Sequence, residues 1–130
     1  MSDDLLLLLT KGWNGVFELL TEIGVGEIPQ LEGVEITLLD DDEMGRIHGE
    51  FLDDDSPTDV ITFDHGELLV GVETAQRQAG IFASSPDLEI ALYGIHGMLH
   101  LAGFDDRSEK DAKAMANRQM ELLERFFPSL

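Results

Sequence analysis

Residues 96–106 read HGMLHLAGFDD, and the rest of the chain is best read outward from them. On an α-helix, four residues amount to roughly 40° of rotation and about 6 Å of rise. His96 and His100 therefore project from one face, a single turn apart, and their imidazoles can converge on one ion. Gly103 can take a left-handed backbone that other residues resist, which ends the helix and lets the chain turn back. Asp106 is thereby offered to the same ion. Two imidazoles and a carboxylate, with a fourth position left to water, form a known arrangement for catalytic zinc. A bare His-x3-His on a partly apolar helix is usually structural. The glycine at the helix break and the acid three residues beyond it favour a metal site. Asp105 competes with Asp106 as a ligand, but adjacent side chains diverge, so it is expected to brace a histidine or cap the next helix.

The spacing H-x3-H-x2-G-x2-D parallels the metzincin pattern, with Asp106 in place of its third histidine. Zinc proteases of that spacing carry a glutamate directly after the first histidine as general base. Here that position is Gly97, so peptide hydrolysis by the usual route is disfavoured. What remains is a metal that lowers the pKa of bound water and polarises a substrate oxygen.

The flanking sequence supplies the frame. Ser85-Pro86 starts the helix that bears the histidines, and Leu88, Leu92, Ile95 and Leu99 give it an apolar face up to Gly103. Ser108, with Asp111 three residues on, opens a last helix that Pro128 closes. At the other end, Ser2 caps a helix from about 3 to 23 through Trp13, Phe17, Leu20 and Ile23, ended by Gly24 and Gly26. Residues 34–39 form a short strand, and Asp40 with Glu43 caps a second helix carrying Met44, Ile47 and Phe51 on one face. Residues 53–57 are a charged turn. Residues 59–64 (DVITFD) and 67–72 (ELLVGV) read as strands joined by a tight turn at His65-Gly66, and residues 73–81 as a helix. The order α-β-α-β-β-α-α-α predicts an α+β fold. It is a small mixed sheet flanked by about five helices, with a metzincin-like metal-binding helix and turn.

The 130 residues, 43% of them hydrophobic, suit one domain over 1–130. Cysteine is absent, which excludes disulfides and thiolate metal sites and is compatible with a reducing cytosol. The net charge of -19 argues against a broad basic surface for gripping nucleic acid. Residues 1–100 hold only Lys11, Arg46 and Arg77 as bases. The other five, Arg107, Lys110, Lys113, Arg118 and Arg125, fall close to the metal motif. They are either ordinary helix-surface charge or a local landing site for an anionic substrate. The leucine run at 5–9 is too short to span a bilayer, and Asp3 and Asp4 sit where a signal peptide would be positive. It reads as a buried helix face, and the expected location is cytoplasmic, with no membrane partner.

HGMLHLAGFDD closely resembles the signature of the YbeY family of bacterial rRNA-maturation endoribonucleases, H-G-x-L-H-L-x-G-Y/F-D-H/D. Upstream, Pro57-Thr58-Asp59-Val60-Ile61-Thr62-Phe63 is similar to that family's P-T-D-V-L-S-F segment, and Gly66-Glu67-Leu68 to its G-D/E-I strand. Glu89 lies seven residues before the first histidine, where the family commonly has an acid. The resemblance covers about residue 33 to the C-terminus. It implies a zinc-dependent, single-strand-specific endoribonuclease with one zinc (or another divalent metal) per chain, held by His96, His100 and Asp106. The implied work is 3′-end maturation of small-subunit (16S) rRNA and ribosome quality control, with rRNA, the small subunit and ribosomal proteins as partners and DNA not among them. The general acid and base are not identified.

Three positions depart from the family. Asp106 replaces a ligand that is most often histidine. Leu52 stands five residues before the proline, where many members have an arginine. His48 stands where asparagine is frequent. Losing the arginine removes a phosphate clamp, for which Arg46 or Arg107 could substitute. A second reading is a non-catalytic ribosome-assembly factor, its metal stapling the Gly103 turn and its acidic surface binding a basic ribosomal protein. A peptidase, the third, rests on the spacing alone.

Overall fold

The structure, a computed structural model, describes residues 1–24, 26–53 and 58–130. The chain runs α1 (Asp3–Ile23), a 3-10 turn (Ile28–Gln30), β1 (Glu35–Leu39), α2 (Asp41–Leu52), β2 (Val60–Phe63) and β3 (Glu67–Gly71). It continues through α3 (Val72–Ile81), α4 (Pro86–Leu101) and α5 (Glu109–Phe126). Residues 54–57 of the expected charged turn lie outside the described residues.

The helix starts follow from side-chain caps. Ser2, Asp40, Ser85 and Ser108 each accept a hydrogen bond from the backbone N–H three residues on, at Leu5, Glu43, Leu88 and Asp111. Each such cap is worth about 1 kcal/mol. The 3-10 turn was not expected from the sequence. It forms around Pro29 and buries Ile28 completely.

β3 lies at the centre of a three-stranded mixed sheet of order β1-β3-β2. It runs parallel to β1, with Glu35 opposite Glu67 and Leu39 opposite Gly71, and antiparallel to β2, with Val60 opposite Val70 and Phe63 opposite Glu67. Because side chains alternate along a strand, β3 feeds both faces. Leu68 and Val70 enter the main core with α1, α4 and α5, and Leu69 joins Met44 and Ile61 beneath α2. The sheet is thus covered on both sides, thickly by one group of helices and thinly by α2 alone.

α4 runs through the middle of the main core, burying Ile90, Ile95, Met98, Leu99 and Leu101. The indole N–H of Trp13 on α1 donates to the Ala91 carbonyl at 3.1 Å within the core. The reading of residues 5–9 as a buried face needs correction. Leu9 is fully buried, but Leu6 and Leu7 remain 47% and 56% exposed. Successive helical residues are about 100° apart, so five in a row cannot share one face. Among the described residues no helix is long and apolar enough to cross a membrane.

Candidate metal centre

α4 is held where it is by near-contact with its neighbours. A Cβ added at Gly97 would stand 2.8 Å from Leu68 Cγ and 3.1 Å from Thr62 Oγ1. The helix backbone therefore lies directly on β2 and β3, and no side chain fits at 97. The position that carries the general base of zinc peptidases is filled by the sheet, which is a steric reason against that chemistry. With Gly97 turned to the sheet, His96 and His100 emerge half-buried at the edge of a cleft.

The two rings meet nearly edge to face, with centroids 4.6 Å apart and planes at 79°, and their Nε2 atoms are 3.0 Å apart. The Nδ1 of His100 is 3.1 Å from the Phe104 carbonyl. A carbonyl only accepts, so that Nδ1 carries a hydrogen and the Nε2 lone pair of His100 points at His96. The Nδ1 of His96 is likewise engaged, by Oε1 of Gln119 on α5. With Nδ1–H donating to Gln119, the Nε2 of His96 also presents a lone pair. Two lone pairs facing each other at this distance repel unless positive charge lies between them.

Asp106 supplies a third donor. One ligand atom from each of His96, His100 and Asp106 lies within 4.8 Å of the others. An N···N distance of 3.0 Å suits two bonds of about 2.0–2.1 Å to one ion, and the N/N/O donor set suits zinc and other divalent metals. The residues present fit a metal.

Backbone bonds shape the turn that returns Asp106. The N–H of Ala102 bonds the carbonyls of Met98 and Leu99, the N–H of Phe104 bonds Leu99 at 3.0 Å, and Gly103 turns at φ 93°. A second support comes from the far end of α1. Gly26, at φ 71°, lies so close that an added Cβ would be 2.6 Å from both the Ala102 carbonyl carbon and the Gly103 nitrogen. Glu27 N–H, next in the chain, donates to the Leu101 carbonyl at 2.8 Å. Neither Gly26 nor Gln119 was singled out by sequence reasoning as a support. Nothing in the spacing places residues 70 or more positions apart beside the turn, or a glutamine 23 positions on beside a histidine.

Comparison with known proteins bears on this geometry. A family model described as "Endoribonuclease YbeY" matches residues 13–127. The chain belongs to the endoribonuclease YbeY family. Two relatives named "Endoribonuclease YbeY", from Bacillus thuringiensis (strain Al Hakam) and Bacillus cereus (strain AH187), are each 32% identical to it. Each match covers 78% of this chain and 81% of the relative. The solution structure of a Thermotoga maritima protein superposes with a TM-score of 0.71 at 28% identity, covering 98% of this chain and 84% of that one.

Leu52 is 57% exposed and lines the cleft, so an apolar side chain stands where many family members have an arginine. Of the two candidate replacements, Arg46 is paired to Glu43 and Glu50 on the outer surface of α2, whereas Arg107 lines the cleft. Arg118 pairs with Glu121, and Arg125 lies over the Phe126 ring. Lys110 and Lys113 are exposed on α5 and do not line the cleft. Arg107 is thus the single Lys or Arg among the described lining residues, set against Asp59, Asp64 and Asp105.

Asp105 neither braces a histidine nor caps α5. It accepts the Arg107 N–H at 3.2 Å and so stiffens the loop. Asp59 caps the start of β2 through the Val60 N–H at 2.7 Å, and Thr58 does not line the cleft. Glu89 borders a separate polar hollow with Thr58 and Tyr93. His48 is half-buried on α2, away from the cleft lining.

Proposed function

We propose that this chain is a metal-dependent hydrolase of RNA phosphodiester bonds, with His96, His100 and Asp106 as the ligands in a single domain spanning 1–130. The observation that carries the reading is the convergence of two oriented Nε2 lone pairs and a carboxylate at the edge of a cleft of about 670 Å³. The YbeY resemblance supports zinc as the metal, single-stranded RNA as the substrate, and cytoplasmic work on the 3′ end of 16S rRNA and in ribosome quality control.

When bound, the ion polarises a phosphoryl oxygen and lowers the pKa of coordinated water. The chain's own residues do the rest. Gln119 and the Phe104 carbonyl hold the two imidazoles with Nε2 outward. The Arg107 guanidinium is placed to clamp phosphate oxygens as a fork. The carboxylates of Asp59, Asp64 and Asp105 repel phosphate elsewhere in the cleft and so narrow where the backbone can lie.

The test is cleavage of single-stranded and duplex RNA by metal-loaded and chelated protein, beside His96→Ala. Metal-dependent cutting of the single strand, lost in the variant, is expected. Equal products from loaded, chelated and variant protein would overturn the reading. The acidity of the cleft favours one alternative, a non-catalytic ribosome-assembly factor whose metal is structural and whose acidic surface binds a basic ribosomal protein.

A further inference from the structure

Phe51 is the most exposed aromatic side chain of the cleft. It is 63% exposed at the last turn of α2, beyond the end of the small core formed by Met44 and Ile61. Its ring meets Phe63 of the edge strand β2 at 5.4 Å and 76°, and Phe63 in turn stacks on His65 at 5.6 Å and 24°. The edge-to-face contact with Phe63 is the ring contact Phe51 makes among the described residues, and much of its side chain remains exposed. Both phenylalanines line the same cleft as His96 and His100.

The charge of the cleft determines what such rings can do. Beyond the metal site, a cleft with one guanidinium and three carboxylates has little charge with which to hold a polyanion by its phosphates. Its uncharged contacts must supply much of the affinity. Unpaired bases present flat faces that stack on aromatic side chains, whereas bases inside a duplex have theirs already covered.

We propose that Phe51, backed by Phe63, is a stacking platform for one unpaired nucleobase of an RNA strand whose phosphate lies at the His96/His100/Asp106 centre. The inference rests on the RNA reading above and extends it to how the substrate is held. On this account the preference for single strands is a property of Phe51 and Phe63, and binding depends only weakly on salt. A slope of log affinity against log salt no steeper than about -1.4 is expected, since Arg107 and the ion neutralise about two phosphates at most and each contributes roughly -0.7.

The experiment measures equilibrium binding of a labelled eight-nucleotide RNA, and of the same strand in a duplex, to the metal-loaded chain, with the strand checked for intactness. The variants are Phe51→Ala, Phe51→Leu and Phe51→Trp, and the strand is also made with a single abasic residue at each position in turn. One stacked base is worth about 5- to 150-fold in affinity. Phe51→Ala and Phe51→Leu are expected to weaken binding about tenfold, and Phe51→Trp to preserve it. One abasic position should cost wild type the same factor while costing Phe51→Ala nothing further.

Phe51→Ala binding as tightly as wild type, or Phe51→Leu retaining full affinity, would overturn the platform while leaving the hydrolase reading intact. A wild type that binds neither single strand nor duplex would remove the RNA reading itself, and the platform with it.

Discussion

Oε1 of Gln119, on the last helix, meets Nδ1 of His96, on the helix before it, and so fixes which nitrogen of that imidazole faces the cleft. Outer partners of this kind typically contribute 10- to 100-fold to metal affinity. Gln119→Ala is therefore expected to weaken zinc binding by about that factor while leaving the melting curve of the chelated protein within roughly 1 kcal/mol of wild type. A competition titration with a chromogenic chelator reads it. Unchanged affinity would mean that packing alone orients the ring.

Gly26 touches the other side of the site. Alanine there would place a Cβ against the backbone of residues 101–103 and would hold a non-glycine residue at positive φ. Strain of this type costs about 1–3 kcal/mol. Gly26→Ala should lose that much in urea unfolding and, if the turn shifts to relieve the overlap, should weaken metal binding as well. Wild-type stability would show that the loop can move aside freely.

Metal removal distinguishes the two functional readings. The amides of Ala102, Gly103 and Phe104 in the turn after α4 are bonded within the protein, and α4 is anchored by the main core, so the fold is expected to stand without the ion. Chelation is expected to lower stability only by the linkage term, about 2.7 kcal/mol for a metal at one hundred times its dissociation constant. Thermal scans should show a cooperative transition at reduced temperature. Loss of that transition would instead support the structural-metal reading.

Tyr93 is 6% exposed, and its hydroxyl lies beside the Glu89 carboxylate without reaching full hydrogen-bond geometry. Burial, with the nearby charges of Glu89 and Asp59, pushes its phenol far above the ordinary value of 10.0. A group whose folded pKa is raised contributes stability below its unfolded pKa and loses it as the pH climbs toward the folded value. Wild type should therefore lose stability progressively above about pH 10. Tyr93→Phe removes the alkaline loss and, since the hydroxyl makes at most a poorly aligned contact with Glu89, should change stability at pH 7 by less than about 1 kcal/mol. Clear destabilisation at pH 7 would show that the hydroxyl is bonded in solution.

Leu52 lines the cleft beside Phe51, where a cation would meet the substrate backbone. Leu52→Arg is expected to tighten single-stranded RNA binding at low salt and to steepen the salt dependence by roughly 0.7, the share of one phosphate. Binding isotherms at four salt concentrations measure it. No change in slope would place the RNA backbone away from this wall.

Much of this protein is local and is legible in its sequence. Caps at Ser2, Asp40, Ser85 and Ser108 act over three residues. The His96–His100 pair needs only the pitch of a helix, and the turn at Gly103 only that residue's freedom. These features depend on neighbours in the chain, and sequence records neighbours directly. What the tertiary structure decided is contact between distant segments. It covered both faces of the sheet, left Leu6 and Leu7 outside, set Gly26 against the metal turn and Gln119 against His96, and chose Arg107 over Arg46 for the cleft. Such contacts arise when apolar faces from α1, α4, α5 and the sheet are buried together. Burial is non-directional, so the residues it brings side by side carry no spacing from which they could be foretold.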